Sequence, residues 1–225
     1  MFAIYDALSF LTIWLILVPW HLALIATRKF APQGLLQRLG GGKLPPREKA
    51  YRVLIHAVSV GEVTAAEPLV RELLRMTSEV ELVVTTGNNN GMRAARQLQS
   101  RYHAITHVQF LPWDWRRTLS TWIHRLDPDL VAIIETELWP NLIRECQRRN
   151  TPLCIINGRV YPSDIWRYRL ANQFFRRVLS HVDWIGVQSE MERNRFLAIG
   201  AASQGVEVIG NIKFDVSLPP SSASE

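Results

Sequence analysis

The chain has 225 residues, of which 48% are hydrophobic, and its 26 Lys and Arg against 20 Asp and Glu give a formal net charge of +6. This composition is typical of a globular protein, and it excludes a chain that is disordered as a whole, a collagen-like repeat and a disulfide-stapled miniprotein. Cys146 and Cys154 have no partners at zinc-ligand spacing, so we expect reduced thiols in a cytoplasmic protein. The moderate basic excess favours anionic partners such as phosphates or lipid headgroups, without requiring nucleic acid.

The first predicted element is an apolar helix. No Asp, Glu, Lys or Arg occurs in the 20 residues from Ala7 to Ala26, which is enough helix to cross a hydrocarbon core about 30 Å thick. Seven Lys or Arg residues follow between positions 28 and 52, so the positive-inside rule predicts that the rest of the chain is cytoplasmic. We therefore predict a membrane anchor helix over residues 1–29. The alternatives are a cleaved signal peptide, a buried core helix and a helix lying in the membrane surface.

Residues 30–50 are rich in Gly, Pro and charge and show no sustained period, which predicts a basic linker. From residue 51, apolar runs alternate with amphipathic helical patterns, which predicts an α/β fold with a doubly wound parallel sheet. The predicted strands are Val53–Val58, Glu81–Thr85, Ile105–Phe110, Leu130–Glu135, Leu153–Asn157, Trp184–Gln188 and Val206–Ile209. We assign residues 51–215 to this domain and residues 216–225 to a disordered tail.

Polar residues directly after the strands are candidates for a site, because ligands of open parallel sheets bind at the carboxyl ends of the strands. Ser59-Val60-Gly61-Glu62 follows the first strand, so Glu62 lies near a helix N-terminus, where a carboxylate can reach a substrate hydroxyl. Ser59 and Glu62 also have the spacing of a capping box, which is a purely structural role. The helix dipole favours the ionised form of Glu62 and works against a strongly raised pKa.

A second acidic segment follows the fourth strand. Glu135 and Glu137 come before Pro140, which can be the first residue of a helix. A pair of carboxylates at the end of a buried strand needs solvent, a partner or a ligand, so we predict a functional role for at least one of them. In the alternative, Glu137 only complements the helix N-terminus and Trp139 anchors the core.

Two further motifs carry a cation. Arg159, in Asn157-Gly158-Arg159, can clamp a phosphate or carboxylate, and Lys213 can meet an anion; a solvated Arg and a terminal turn are the alternatives. The Gly- and Asn-rich turn at 87–91 is a weaker candidate for a phosphate loop and is not a Walker loop. The six histidines form no paired-ligand pattern, so we predict no metal site.

Four motifs follow the hydrophobic segment in order: HAVSVGE (56–62), ETELWPNL (135–142), NGR (157–159) and GNIKFD (210–215). This set resembles the N-terminal half of the Kdo (3-deoxy-D-manno-octulosonic acid) transferases over nearly the whole chain. The resemblance implies the Rossmann-like N-terminal domain of a GT-B glycosyltransferase. It further implies inverting transfer of Kdo from CMP-Kdo to a lipid A precursor in lipopolysaccharide core biosynthesis, without a metal or other cofactor, at the cytoplasmic face of the bacterial inner membrane.

The resemblance also implies roles for individual residues. Glu62 would be the general base, and Glu135 and Glu137 would orient the acceptor or support the base. The remaining acceptor-binding or supporting candidates are Ser59, Gly61, Asn157, Arg159 and Lys213. Because the chain ends shortly after GNIKFD, we expect a missing or separate C-terminal domain to bind CMP-Kdo. The alternatives are a non-catalytic glycolipid-binding or scaffold half and a GT-B enzyme for another sugar nucleotide.

Overall fold

A parallel sheet of seven strands forms the centre of the computed structural model, which describes residues 1–217. All seven predicted strands are present, and each begins and ends within two residues of its predicted bounds. The predicted α/β fold class is confirmed. The strands are β1 (Tyr51–His56), β2 (Val80–Thr86), β3 (Ile105–Phe110), β4 (Leu130–Ile134), β5 (Leu153–Gly158), β6 (Trp184–Val187) and β7 (Val206–Val208). The helices of the described residues are α1 (Phe2–Thr12), α2 (Val18–Ala26), α3 (Pro32–Arg38), α4 (Val60–Met76), α5 (Asn89–Arg101), α6 (Arg116–Leu126), α7 (Pro140–Arg149), α8 (Ile165–Leu170), α9 (Asn172–Leu179) and α10 (Glu190–Ala198).

The central strands are apolar on both faces because helices cover both sides of the sheet. Successive side chains of β1 point to opposite faces, so Leu54 joins the core layer that contains Trp122, whereas Ile55 joins the layer that contains Val63 and Leu98. These side chains are all almost fully buried. Burial of a Leu or Ile side chain contributes about 1.5–3 kcal/mol, so the two layers account for much of the stability of the domain.

The strand order is β3-β2-β1-β4-β5-β6-β7. The chain first builds outward from β1 to β3 and then returns to the other side of β1 with β4, so the winding direction reverses between β1 and β4. At such a reversal the loops after the two strands diverge and leave a crevice at their carboxyl ends. The segments that begin at Ala57 and Glu135 border this crevice.

The apolar N-terminal segment forms one continuous helix from Phe2 to Ala26, hereafter the N-terminal helix, with a π-helical turn at Ile13–Leu17. Within the described residues it is the one helix long and apolar enough to cross a membrane, with a mean hydropathy of 2.1 over its best window. This helix does not stand away from the domain. Its residues pack on the loop after β3, where Ile13 is buried against Trp113.

The linker predicted for residues 30–50 differs from the structure. Its first half contains helix α3, whose Leu35 packs with Ile13 and Trp113. Arg38 is buried and donates hydrogen bonds to the carbonyls of Leu111 and Gly87. The segment is therefore part of the domain, and its composition misled the prediction because these long-range contacts leave no local pattern.

The C-terminal segment differs in part from the predicted tail. Ile212–Ser217 forms a 3-10 helix that packs on α4, so residues 216 and 217 belong to a regular element. The rest of the predicted tail, residues 218–225, lies outside the described residues. The 3-10 helix matters for the site because it carries Lys213.

A buried ion pair fixes the amino ends of β1 and β2. Arg52 and Glu81 are 2% and 1% exposed, and Arg52 Nε lies 2.7 Å from Glu81 Oε1. Arg52 also donates to the carbonyls of Leu126 (2.8 Å) and Pro45 (3.2 Å). With these bonds the guanidinium is satisfied, so loss of Glu81 would leave a buried charge without its counter-ion.

Candidate active site

A cavity of about 340 Å³ opens at the carboxyl ends of β1 and β4, where the winding of the sheet reverses. Six of the candidate residues predicted from the sequence line it: Ser59, Glu62, Glu135, Glu137, Arg159 and Lys213. The structure adds Thr136, Val160, Tyr161, Asp164 and Tyr168 to its walls. Four acidic side chains, two cationic side chains and two phenols therefore surround one small volume.

Glu62 is fixed by the turn that precedes α4. Its backbone N–H donates to Ser59 Oγ at 3.3 Å, and its carboxylate accepts from the Ser59 hydroxyl and the Val58 N–H, both at 2.7 Å. The reciprocal capping predicted from the spacing is present. It uses two of about four lone-pair positions of the carboxylate, so Glu62 can still accept a proton from a ligand.

The electrostatic surroundings make Glu62 a stronger base than an exposed glutamate. Burial raises the pKa of Glu62, the hydrogen bonds from Ser59 and Val58 lower it, and the charge of Glu135 raises it again. The net direction is upward. The sequence led us to expect that the helix N-terminus would work against a raised pKa, but desolvation is the larger effect here.

Glu135 has an unusual backbone conformation. Its φ of +63° lies in the left-handed region, which costs a non-glycine residue about 1–3 kcal/mol and occurs preferentially at functional sites. Its N–H still donates to the Ile156 carbonyl at 2.8 Å, and Lys213 Nζ lies 2.5 Å from Glu135 Oε1. The turn therefore directs this carboxylate into the cavity, where it meets a cation from a segment 78 positions later in the chain.

Glu137 has a different electrostatic role. Burial, followed by the charges of Glu62 and Glu135, raises its pKa to about 7. Glu135 is the partner of Lys213, whereas Glu137 has a pKa that lets it exchange a proton near neutral pH. The sequence alone left open which of the two acids acts; in the structure Glu135 pairs with Lys213, and Glu137 is the acid with the raised pKa.

Asn157 holds in place the segment that carries Lys213. It is fully buried, has a φ of +62°, and its Oδ1 accepts a hydrogen bond from the Ile212 N–H at 3.2 Å. Asn tolerates the left-handed region better than most residues, which explains its position at the end of β5. It supports Lys213 through the backbone and does not line the cavity itself.

Arg159 and Gly61 lie at the rim. The Arg159 guanidinium stacks 4.6 Å from the ring centre of Tyr161, and the Arg159 N–H donates to Thr136 Oγ1 at 3.0 Å. A side chain at Gly61 would place its Cβ 3.9 Å from Lys213 Nζ, which is ordinary contact. The glycine therefore keeps the approach to the lysine open but is not required by packing.

Several features of the site had no signal in the sequence. Tyr168 reaches the cavity from α8, which follows the 3-10 helix Pro162–Asp164, and no motif marks this position. The Asn-rich turn is not part of the cavity: Asn88 Oδ1 accepts from the Gly91 N–H at 2.8 Å and caps α5. Across residues 1–217, no group of three or more His, Cys, Asp or Glu side chains is arranged to hold a metal ion.

The cavity combines acid–base groups with fixed positive charge. A buried carboxylate with a raised pKa is suited to take a proton from a hydroxyl group, and the raised pKa brings it closer to the working pH. Lys213 and Arg159 supply cations that attract an anionic ligand. The arrangement is therefore suited to a ligand that presents a hydroxyl group to the carboxylates and an anionic group to the cations.

Comparison with protein families identifies the domain. A model of the 3-deoxy-D-manno-octulosonic-acid transferase (kdotransferase) family matches residues 33–216, which is most of the chain. The chain belongs to the Kdo transferase family. The match begins within α3, in agreement with the packing of that helix on the domain, and it includes every residue of the candidate site.

Curated relatives agree with this assignment. The Kdo transferases of Haemophilus influenzae and Bordetella pertussis are 30% and 31% identical to the chain, with alignments that cover 79% of it in both cases. A bifunctional glycosyltransferase/methyltransferase of Fusobacterium nucleatum is 30% identical over 74% of the chain. The chain spans 40%, 41% and 26% of the lengths of these three proteins, respectively.

Solved structures agree on the fold. UDP-GlcNAc 2-epimerase of Neisseria meningitidis, bound to UDP-GlcNAc, superposes with a TM-score of 0.54 at 15% identity and covers 73% of this chain and 48% of its own. The Methanocaldococcus jannaschii enzyme of the same name gives a TM-score of 0.52 at 11% identity over 73% of this chain and 47% of its own. At this identity the likeness concerns the Rossmann-type, GT-B-like architecture alone, as predicted for a Kdo transferase.

Proposed function

We propose that this chain is the acceptor-binding half of a glycosyltransferase that moves Kdo from CMP-Kdo to a lipid A precursor in lipopolysaccharide biosynthesis. The observation that carries the proposal is Glu62, a buried carboxylate with a raised pKa, in the crevice between β1 and β4. Family membership supplies the reaction class, and the cavity supplies a group that can perform its proton transfer.

In the proposed reaction, Glu62 takes the proton from an acceptor hydroxyl. The hydroxyl oxygen forms the new bond to the anomeric carbon of Kdo, while the bond between that carbon and the phosphate oxygen of the cytidylate breaks. The electron pair of that bond leaves with CMP, and the anomeric configuration inverts. A single base on the face opposite the leaving group is sufficient for this displacement, and we propose that it proceeds without a metal ion or other cofactor.

The other charged residues have supporting roles in this proposal. Lys213, paired with Glu135, places a positive charge in the cavity that also contains the base. Arg159 at the rim is positioned to contact a phosphate of the acceptor. Glu137, with a pKa near 7, can receive the proton that Glu62 has taken and release it to solvent.

The donor sugar nucleotide would be bound by residues outside this chain. In its curated relatives the matched segment is less than half of the protein, and a GT-B architecture places its donor site in the second domain. The apolar N-terminal helix and the basic residues after it support attachment to the cytoplasmic face of the bacterial inner membrane, where an anionic glycolipid would be the acceptor. The proposal involves no nucleic acid.

A transfer assay tests this function. The chain is combined with a donor domain in one preparation, and acceptor glycolipid is followed by mass spectrometry with CMP-Kdo, with other CMP-sugars and with UDP-sugars. We expect addition of Kdo from CMP-Kdo alone. Efficient use of a different sugar nucleotide would show that the proposed donor is wrong and would favour the GT-B enzyme for another sugar.

A second candidate function is a glycolipid-binding half that does not catalyse. In that case the acceptor would bind with the same affinity, and no transfer would occur with CMP-Kdo even when a donor domain is supplied. Binding and transfer, measured on the same preparation, separate the two candidates.

A further inference from the structure

The N-terminal helix contacts the domain over most of its length. At its start, Phe2 packs on Phe174 with ring centres 5.3 Å apart, and near its end His21 packs on Trp113 at 5.0 Å. The rise from Phe2 to His21 is about 28 Å at 1.5 Å per residue. This contact is nearly as long as the hydrocarbon core of a bilayer is thick, about 30 Å.

Polar contacts fix the first part of the helix. The Tyr5 hydroxyl donates to Asp114 Oδ2 at 2.7 Å, and Arg144 lies 3.1 Å from Asp6. Asp114 also accepts from the N–H groups of Asn141 and Leu142, so it caps α7 at the same time. The docking surface on the domain therefore combines aromatic contacts with an ion pair and a hydrogen bond, and Asp114 connects it to the first residues of α7.

The π-helical turn keeps one face of the helix toward the domain. Pro19 has no N–H, so the regular hydrogen-bond ladder cannot pass through it, and the π-helical turn Ile13–Leu17 ends two residues before it. A π turn delays the helix by about one residue, or about 100°. Without this delay, His21 would point well away from the side that carries Phe2 and Tyr5.

The opposite face of the helix is an apolar stripe, defined here as the exposed residues Ile4, Leu8, Leu11, Leu15 and Trp20. The first four are three or four residues apart, and the delay of about one residue at the π turn brings Trp20 onto the same side. Each is about half exposed or more, and Leu15 is 70% exposed. Such a continuous exposed apolar surface is typical of contact with a membrane or a partner.

Basic side chains border this stripe on three sides. Arg28 and Lys29 follow the end of the helix, and Arg116 and Arg117 line a cavity together with Asp6 on one flank. On the other flank, an apolar groove of about 530 Å³ between the N-terminal helix and α8–α9 is lined by Ile4, Leu8, Leu170 and Arg169, among others. An apolar stripe with a basic border is complementary to an anionic lipid surface. A bilayer is therefore the partner that fits this stripe.

We propose that the N-terminal helix lies in the plane of an anionic bilayer, docked on the domain, and does not span the membrane. A spanning helix in this arrangement would take Asp114, Arg144 and the ionic surface around them into hydrocarbon, which is strongly unfavourable. In the plane, the stripe enters the lipid, the basic residues meet the headgroups, and the docked face stays in water with the domain.

The orientation has a consequence for the candidate active site. A second apolar groove, of about 690 Å³, runs beside the N-terminal helix and is lined by Leu8, Ile13, Trp139 and Glu137. Glu137 also lines the cavity of the candidate active site, so this groove and that cavity are separated by one side chain. A helix in the membrane surface therefore brings the cavity of the candidate active site close to the headgroup layer, within reach of a membrane-bound ligand.

Spin-label depth measurements test the proposal on the full chain bound to vesicles of phosphatidylethanolamine and phosphatidylglycerol. Single cysteines replace Leu8, Leu15 or Trp20 in a Cys154→Ala background, in which Cys146 is fully buried. An in-plane helix places the three labels at equal depth within a few ångströms. A spanning helix separates successive labels by about 8–10 Å along the bilayer normal, with Leu15 deepest, because five to seven residues rise about 8–10 Å; that profile would overturn the proposal.

Ile13→Cys is the matched control, because Ile13 lies on the docked face and is 3% exposed. We expect its label to have little contact with lipid, whereas a helix free of the domain would expose Ile13 as much as Leu15. Pairing of two copies through the stripe, seen as dipolar broadening at Leu15 without lipid contact, would also contradict the proposal. None of these readouts uses sugar transfer, so a failure here is separate from a failure of the proposed function.

The basic border gives a second, independent test. Omission of phosphatidylglycerol, or the double variant Arg116→Gln and Arg117→Gln, should weaken vesicle binding about tenfold or more, since each basic residue near an anionic surface contributes about 1 kcal/mol. Equal binding to neutral and anionic vesicles would overturn the anionic part of the proposal.

Discussion

The substitution Glu137→Gln tests the electrostatics of the cavity through the stability of the protein. Burial and the charges of Glu62 and Glu135 raise the pKa of Glu137 to about 7, from an ordinary value of 4.5. A folded state with the higher pKa binds the proton more tightly than the unfolded chain. Protonated Glu137 therefore contributes its full share to the free energy of unfolding below pH 4.5, and this contribution is lost as the pH rises through 7.

The size of the effect follows from these two values. Ionisation of Glu137 costs the folded state about 3 kcal/mol at pH 8 and less than about 1 kcal/mol at pH 5, as upper limits because the side chain keeps some contact with solvent. Glutamine has nearly the same shape and no charge. The variant should therefore gain stability over the parent as the pH rises, with a difference of up to about 2–3 kcal/mol between pH 5 and pH 8.

Urea unfolding, followed by far-ultraviolet circular dichroism at pH 5, 6, 7 and 8, measures this difference. The control is Glu79→Gln, at an exposed carboxylate in a surface pair with Lys49. It should change stability by no more than about 0.5 kcal/mol at any of these pH values. A Glu137→Gln difference that is constant with pH, or that falls as the pH rises, would refute the electrostatic interpretation of the site.

Three further substitutions have defined outcomes. Ser59→Ala removes the cap of α4 and should cost about 1 kcal/mol in urea unfolding, whereas Ser59→Thr should keep most of it. Lys213→Met removes the cation that pairs with Glu135 and should weaken binding of an anionic acceptor glycolipid in a titration, and Lys213→Arg should restore most of the affinity. Glu81→Ala leaves Arg52 buried without its counter-ion and should cost about 3–5 kcal/mol; a loss below 1 kcal/mol would contradict the burial of the pair.

The sheet was predictable because each strand is a short, nearly continuous apolar run between helical patterns. Local composition carries that information, so even Val206–Val208 at the edge of the sheet was found. Helix α3 was not predicted, because its stability depends on Arg38 reaching the carbonyl of Leu111, 73 positions later in the chain. Such contacts have no local period.

The candidate site was partly predictable for a related reason. The rule that ligands bind at strand ends pointed to Glu62, Glu135 and Glu137, which do meet in one cavity. The sequence did not predict that Lys213 pairs with Glu135 or that Tyr168 forms part of the wall, since both depend on how distant segments cross the sheet edge. The direction of the pKa shift at Glu62 was not predictable either, because it depends on how deeply the carboxylate is buried, and no motif contains that information.

The transfer rate of a Glu62→Gln variant tests the proposed mechanism most directly. The variant keeps an acceptor for the Val58 N–H and a side chain of the same size, but it cannot take a proton from the acceptor hydroxyl. In a preparation that contains a donor domain, we expect kcat to fall about a hundredfold to ten-thousandfold, with acceptor binding little changed and Glu79→Gln as control. Transfer by Glu62→Gln at the parental rate would show that Glu62 is not the base.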